Sequence, residues 1–501
     1  MDRSKSRIYA ITSKTFLNFC RLVFEHPEWV AFIVVFGIML WLNLHRNDFK
    51  FYFDTAVYWN VLAKAFDDPV AGTFSLLNFN SPLRGYLFPL ILCIIIKFST
   101  FLRIPSLFLL EITQSFVFSG LITVIIPYVI KKLFNIELNL WKILLFSLLV
   151  IVFWQGYFFY PLSDFWALSF FVFGMYLLLC YESNGWVLFL AGMFFGGAAI
   201  IRPSYSITLI FLLFWSTYYF LKYRSQAKKQ ILMNELIFTI GLVFVFLPQV
   251  VINMAHFGIL NPMPLTQFHR NNLFLAQLTS GIQVQRYETF VGLKPDYHSP
   301  AVFFMDPQGR NIFVRSGYDP DSYFHPNPET FSLSPKILSL SEYILLTLKH
   351  PLDFLMIYFR HLFNGLDVVY NTPYIYDLYE NASHIRFLNY SLLFLTVLYI
   401  NKHVKVSSVL SYQFLLLLIL VLPSILSIPS SIEVRFLLPL HFISYSTTAF
   451  FVFPMFSSFA RIKKINILLK YLPWCLIFII ICFLLSANTF ANMRDGFYIF
   501  W

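Results

Sequence analysis

Six ionisable residues stand at the ends of long apolar segments, where charge is costly and its placement informative: Asp54, Arg84, Asp164, Arg202, Glu433 and Arg435. Gathered on one membrane face, their carboxylates and guanidiniums suit an anionic, hydroxyl-bearing substrate. A carboxylate within hydrogen-bond reach of a hydroxyl can take its proton. A guanidinium matches phosphate oxygens with a two-pronged fork. For each residue the local alternative is a helix cap or a pairing with a neighbour. Asp54, in Phe-Tyr-Phe-Asp-Thr-Ala-Val-Tyr-Trp-Asn, is well placed to cap a helix, and helical spacing puts Tyr58 on its face one turn later. Arg202-Pro203 interrupts two apolar segments. An anionic lipid headgroup and Asp164 are both natural partners for it.

The elements that position these residues follow from composition. Of 501 residues, 58% are hydrophobic, 20% aromatic and 12% charged, with a net charge of +11. A soluble domain carries about a quarter charged residues, so soluble and disordered classes are excluded, and 18 Gly with 5 Cys exclude collagen-like and disulfide scaffolds. An all-α polytopic membrane protein remains. Nucleic-acid binding has no basic face to rest on. Cys20, Cys93, Cys180, Cys475 and Cys482 lie in or beside apolar runs without a CxxC, and read as small buried hydrophobes.

A spanning helix needs about 20 mostly apolar residues. The candidates are 29–44, 106–130, 140–160, 163–181, 186–201, 204–222, 232–252, 387–401, 409–428, 437–457 and 469–487. The run 86–102 is broken by Lys97 and Arg103. If it lies along the outer interface, Lys131, Lys132, Lys222, Arg224, Lys228, Lys229, Lys402, Lys405, Arg461, Lys463 and Lys464 fall inside. The positive-inside rule therefore favours 11 spans. The leader with Arg3, Lys5, Arg7, Lys14 and Arg21 is then cytoplasmic, the first span an uncleaved anchor and the C-terminus outside. Two outer stretches result, 45–105 and 253–386. The second carries nine of the 25 prolines between Pro262 and Pro335 and reads as an irregular, aromatic-rich folded loop. From Ser339 to Val369 apolar residues recur at helical spacing, as in amphipathic interfacial helices.

In this order of signals the chain resembles the GT-C superfamily of integral-membrane glycosyltransferases, in the group related to protein mannosyltransferases and aminoarabinose transferases. Asp54 matches the early acid of the first outer loop, and Asp164 the acid of the next. Arg84-Gly85-Tyr86-Leu87-Phe88-Pro89 looks like the juxtamembrane turn. Ser431-Ile-Glu-Val-Arg-Phe-Leu-Leu-Pro439 looks like the Glu-x-Arg-Tyr/Phe-x-x-Pro motif near the last spans. The likeness covers 29–252 in organisation and 431–440 in motif. A single Asp54 stands where the protein mannosyltransferases have an Asp-Glu pair, so their acceptor preference does not carry over.

The resemblance implies a conserved module over 1–252, an outer domain over 253–386 and C-terminal spans over 387–501. It implies juxtamembrane helices in the first outer loop and an active site on the extracytoplasmic face of the bacterial inner membrane, or of the endoplasmic reticulum in a eukaryote. It further implies a polyprenyl-phosphate sugar as donor and a glycan, lipid or protein hydroxyl as acceptor. Asp54 would be the general base, Arg202, Arg435 and Arg84 would hold the phosphate, and Asp164, Glu433 and Tyr58 would orient them or bind sugar. Such a site needs no metal in principle, though its carboxylates could take a divalent cation. The rivals are a transporter or flippase of lipid-linked sugars, a ligase or polymerase of them, and a structural subunit.

Other motifs carry less. Asp319-Pro320-Asp321 spells DxD without a nucleotide-binding βαβ unit. His256, His269, His298 and His325 lack ligand spacing, and Glu111 reads as a structural hydrogen-bonding residue. The sequons at Asn381 and Asn389 imply nothing without knowledge of the host.

Overall fold

The computed structural model describes residues 25–46, 50–68, 70, 72–180, 184–223, 228–268, 271–290, 300–323, 336–375, 383–403, 411–454, 465–494 and 497–499. The basic leader with Cys20, and Arg224, His269, His298, His325, Asn381, Lys405, Arg461, Lys463 and Lys464, lie outside the described residues.

The apolar runs fold as helices because lipid offers backbone amides no partner, and a helix satisfies them internally. They are α1 (Pro27–Leu44), α2 (Phe53–Ala56), α3 (Leu87–Leu102), α4 (Ser106–Phe134), α5 (Leu140–Phe158), α6 (Ser163–Cys180), α7 (Gly185–Ile201), α8 (Ser206–Tyr223) and α9 (Lys228–Phe257). After a lobe of sheet and helices, described below, come α15 (Ser383–His403), α16 (Tyr412–Ser427), α17 (Leu438–Ser446) and α18 (Ile465–Arg494). Among the described residues, six helices are long and apolar enough to cross a membrane, in α1, α4, α5, α9, α15 and α18, and several shorter apolar helices pack among them. Large apolar side chains such as Ile33 and Trp41 on α1, Leu232 and Phe244 on α9, and Ile480 and Leu484 on α18 are exposed. Lipid is the solvent that makes such a surface stable, and the chain is a multi-pass, largely helical membrane protein.

Among the described residues three segments carry a wider π turn, at Val57–Val61 after α2, at Leu121–Ile125 within α4 and at Thr447–Val452 following α17. Glycines set one crossing. A Cβ on Gly192 of α7 would strike the Phe238 carbonyl of α9, and one on Gly241 of α9 would strike the Phe189 carbonyl of α7. The two backbones therefore touch through reciprocal glycines, the small-residue packing by which helices associate in lipid.

The described residues after α9 include regular elements, within the stretch read from the sequence as an irregular folded loop. A mixed sheet in the order β5-β3-β4-β6 joins β3 (Val284–Phe290), β4 (Pro300–Met305), β5 (Tyr374–Ile375) and β6 (Phe497–Ile499), beside a two-residue pair β1 (Gln267–Phe268) and β2 (Asn271–Asn272). Helices α10 (Leu273–Gln283), α11 (Pro307–Arg315), α12 (Pro320–Tyr323), α13 (Leu340–Lys349) and α14 (Pro351–Leu366) pack around it. Two of the nine prolines of this stretch, Pro307 and Pro320, stand at first helical positions where a missing N–H is harmless, as does Pro351 at the start of α14. The hydrogen bonds from β4 to β6 place the C-terminal strand at the same end of the bundle as the lobe.

Replacing Gly192 or Gly241 with Val should separate α7 from α9. The expected result is a lower melting temperature and loss of a single peak on size exclusion in detergent. Gly37→Val, at a position with open space around it, should leave both unchanged.

Candidate functional site

Asp54 enters through a local device. Thr55 Oγ1 accepts from the Tyr52 amide at 3.0 Å and donates to the Tyr52 carbonyl at 2.6 Å, closing the first turn of α2. Thr55, not Asp54, therefore serves the helix start, which leaves the Asp54 carboxylate for other partners. Phe53 adopts a left-handed φ of 46°, an unusual conformation for a bulky side chain and one that turns the chain sharply just before Asp54.

Arg84 Nη2 donates to Asp54 Oδ1 at 2.8 Å. Its guanidinium also lies over the Tyr58 ring, 5.5 Å from the centroid. The turn that carries it is pinned on both sides. A Cβ on Gly85 would strike the Ile200 carbonyl, so only glycine lets the turn approach the end of α7. Next to it, the Tyr86 amide donates to Gln249 Oε1 at 3.1 Å and its hydroxyl to the Val245 carbonyl at 3.0 Å, both on α9.

Asp164 lies in the first turn of α6 and is buried, and Arg202 caps the C-terminus of α7. The two form a close ion pair, one of the two partners the sequence offered for Arg202. Arg435, in the short helix Val434–Leu437, reaches every remaining acid. It meets Glu433 through Nε at 2.6 Å and Nη2 at 3.0 Å, Asp54 at 3.5 Å and Asp164 at 3.6 Å. The Phe436 ring packs under Arg202 and Arg435, at 4.9 and 5.8 Å from their Cζ atoms. All seven residues singled out from the sequence thus form one connected constellation, drawn from five segments of the chain.

Its electrostatics follow from the geometry. Burial alone would push the Asp54 carboxyl up, but Arg84 and Arg435, helped by the Arg84 hydrogen bond, bring it below the usual carboxylate value of 3.8. Burial would weaken the charge on Arg435, and Glu433 with Asp54 more than offsets it, so the guanidinium stays cationic. Three guanidiniums face three carboxylates. Exposure is graded, from 38% at the Asp54 side chain and 27% at Arg84 to 3% at Asp164, so Asp54 and Arg84 form the rim and Asp164 the floor.

A cavity of about 10 Å³ opens beside Asp164, Arg202, Ser204, Tyr205 and Arg435, room for about one water. Ser204 Oγ is buried there with no hydrogen-bond partner among the described residues. Pro439 forms part of its wall and also of a second, apolar crevice of about 80 Å³ lined by Ile126, Leu133, Val172, Leu420, Phe442 and Phe451. From Pro439 to Phe451 is about 18 Å at 1.5 Å per residue, so the crevice runs from the charged end into the bundle.

Several neighbours escaped the sequence reading. Tyr374 of β5 donates to the Tyr52 carbonyl at 2.8 Å and stacks on Phe53, so it buttresses the Asp54 turn. A second charged centre lies behind Arg435. Arg286 of β3 is fully buried between Glu288 at 2.5 Å and Asp367 at 3.2 Å. Asp367 also accepts from Tyr390 at 2.6 Å and Ser486 at 2.7 Å, which ties the lobe to α15 and α18. Arg286 bridges to Ile432 through the backbone, beside Glu433. Gly281 of α10 and Gly365 of α14 let the lobe close on this segment: a Cβ on Gly281 would lie 2.8 Å from Ser431 N, and one on Gly365 3.0 Å from Ile432 Cγ1.

The remaining motifs find local partners. Asp321 pairs with Arg310 and Asp319 accepts from Ser322, so the DxD string is a helix-start arrangement at α12. His256 contacts the Leu77 carbonyl, and the amide of Asn389 is buried against the Leu366 carbonyl. Glu111 is buried in α4. Among the described residues, no group of three or more His, Cys, Asp or Glu side chains gathers as a metal site.

Arg286→Ala would strand Glu288 and Asp367 in the interior, and breaking a buried pair in this way costs about 3–5 kcal/mol. A clear drop in melting temperature is expected. The triple change Arg286→Met, Glu288→Gln, Asp367→Asn, which removes the stranded charges, should recover most of it.

Compared with known proteins, the chain matches no family model, no curated protein and no solved structure.

Proposed function

We propose that this chain is a GT-C-type membrane glycosyltransferase that moves a sugar from a polyprenyl-phosphate donor to an acceptor hydroxyl on the extracytoplasmic face. One observation carries the reading: three arginines and three carboxylates meet at one end of an apolar bundle, and the same wall at Pro439 opens into an apolar crevice. A lipid phosphate needs that combination, cations for its head and hydrocarbon for its tail. The full topology, with 11 spans, a cytoplasmic N-terminus and an outer C-terminus, belongs to this proposal. The pairing of β6 with β4 supports it, since four helices separate the lobe from β6 and return the chain to the same side.

In the reaction the acceptor oxygen attacks the anomeric carbon from the face opposite the phosphate, with inversion. The new C–O bond forms as the bond to the phosphate oxygen breaks, and the electron pair leaves with the polyprenyl phosphate. Asp54, at the rim, takes the hydroxyl proton. Arg202, Arg435 and Arg84 oppose the charge that grows on the phosphate, in a setting preorganised before the reaction begins. Asp164 and Glu433 hold Arg202 and Arg435 in place. Each carboxylate is already engaged by a guanidinium, so the donor set offers a divalent cation no open group of oxygens, and no step is routed through one.

A transporter or flippase of lipid-linked sugars would draw on the same headgroup contacts and crevice. It differs in consuming no acceptor, and a ligase or polymerase differs in moving a whole glycan.

Asp54→Asn should lower transfer from a polyprenyl-phosphate sugar by about 100-fold or more while insertion and donor binding persist. Unimpaired transfer would remove Asp54 from the mechanism. The pH profile gives a second check. A carboxylate held low by arginines stays ionised until the pH falls through its lowered pKa, so the wild-type acid limb should lie below the usual carboxylate range. Arg84→Gln removes the nearest cation and should shift that limb to higher pH.

A further inference from the structure

Helix α14 carries its polarity the wrong way round for a lobe bathed in water, and α13 before it exposes leucines beside Glu342 and Lys349. Leu345, Leu348, Leu352, Leu355, Met356 and Phe359 are 49–75% exposed. Leu345 and Leu348 are three apart on α13, and Leu352, Leu355 with Met356, and Phe359 recur every three or four residues on α14, so each helix carries an apolar stripe. The charged residues of α14 turn the other way, into the lobe. Asp353 accepts from Gln308 at 2.7 Å and pairs with Arg315 at 2.9 Å, and Arg360 pairs with Asp306 at 3.0 Å. Deeper along the same side, His361 contacts the Val284 carbonyl and Asn364 accepts from Thr489 at 3.1 Å. A helix on a soluble surface shows the reverse pattern, with its charges outward.

The α14 stripe also continues into the exposed apolar surface of the spanning helices α15 and α18. Phe363, one turn beyond Phe359, packs against Tyr390 of α15 and Ile479 and Cys482 of α18. Beside them Phe387, Ile480 and Leu484 of the same two helices are exposed along their spans. The stripe and that exposed surface are therefore one apolar face without a charged break at Phe363. Lys349 is exposed at the end of α13, where a long cationic side chain can reach lipid phosphates while its stem stays on apolar ground.

We propose that α13 and α14 are sunk apolar side down into the acyl region of the outer leaflet, so that the outer lobe is a monotopic membrane element rather than a water-exposed domain. An interfacial helix buries its apolar face about 5–10 Å below the headgroups and keeps its polar face away from the lipid, and here the lobe supplies the cover for that polar face. The inference does not depend on the transferase reading.

The test uses the full-length protein in nanodiscs of phosphatidylethanolamine and phosphatidylglycerol. Single cysteines replacing Leu352, Met356 or Phe359 are spin-labelled, with Arg310→Cys on α11 as the aqueous control and label uptake by the parent chain subtracted. Collisions with oxygen should rise and collisions with a water-soluble nickel chelate should fall several-fold relative to position 310. Free access of the chelate would overturn the proposal, and protection from both reagents would overturn it in favour of a protein partner or a second copy of the chain. Should a cysteine variant fail to fold, the native chain can be photolabelled by a phospholipid bearing a diazirine in its acyl chain. Label on the 351–363 peptide supports the insertion, and its absence beside labelled α18 peptides overturns it.

Discussion

The charged end of the molecule depends on Arg435. Its guanidinium touches Glu433, Asp54 and Asp164, which come from the approach to α17, from α2 and from α6. A guanidinium can do this because it presents five N–H donors in one plane and keeps its charge at any ordinary pH. Without it three carboxylates would share a confined space with two cations, and their repulsion would drive the segments apart. The packing around Arg435 reflects that demand. Gly281 and Gly365 remove side chains so that the lobe can close on the loop before it, and Arg286 joins that loop through Ile432.

The same demand explains why the cluster lies at the end of the bundle. At mid-depth, the desolvation of six charges would exceed what their mutual attraction returns. At the boundary, Asp54 and Arg84 keep contact with water while Asp164 is sealed below. The gradient also gives the site a direction, with the rim facing whatever arrives from solution and the floor facing the apolar crevice.

Much of this was legible in the sequence because a charge near lipid is expensive, so the few that persist mark themselves. The helices were legible as apolar runs of about 20 residues. The π turns in α4 and after α17 were not, since a widened turn leaves no side-chain pattern. Arg286 and Glu288 stayed hidden for another reason. In Val284-Gln-Arg-Tyr-Glu-Thr-Phe290 they share a strand face with Val284 and Phe290 and alternate with Gln285, Tyr287 and Thr289, so no clean apolar-polar alternation marks that face as buried. That face is covered by Asn364 of α14 and Phe490 of α18, and Asp367, the partner that neutralises it, is 81 positions away. Pro307 and Pro320 misled in a similar way, because prolines that open α11 and α12 look in composition like those of an irregular loop.

One tension in the proposed chemistry resolves through shared arginines. A carboxylate held by Arg84 and Arg435 is a weak base, and a general base works best when its pKa lies near the working pH. Of the two arginines that depress Asp54, Arg84 stands at the rim and Arg435 reaches the floor, and both are proposed to face the donor phosphate. As the glycosidic bond breaks, the phosphate gains charge and competes for those guanidiniums. Each increment of charge it takes from them loosens their hold on Asp54 and raises the proton affinity of that carboxylate. The base therefore strengthens at the stage when the acceptor hydroxyl must lose its proton, and it stays quiet while the site holds no donor. An arrangement with separate cations for the base and for the leaving group would lack this coupling, and bridging by Arg435 from Asp54 to Asp164 builds it into the resting geometry.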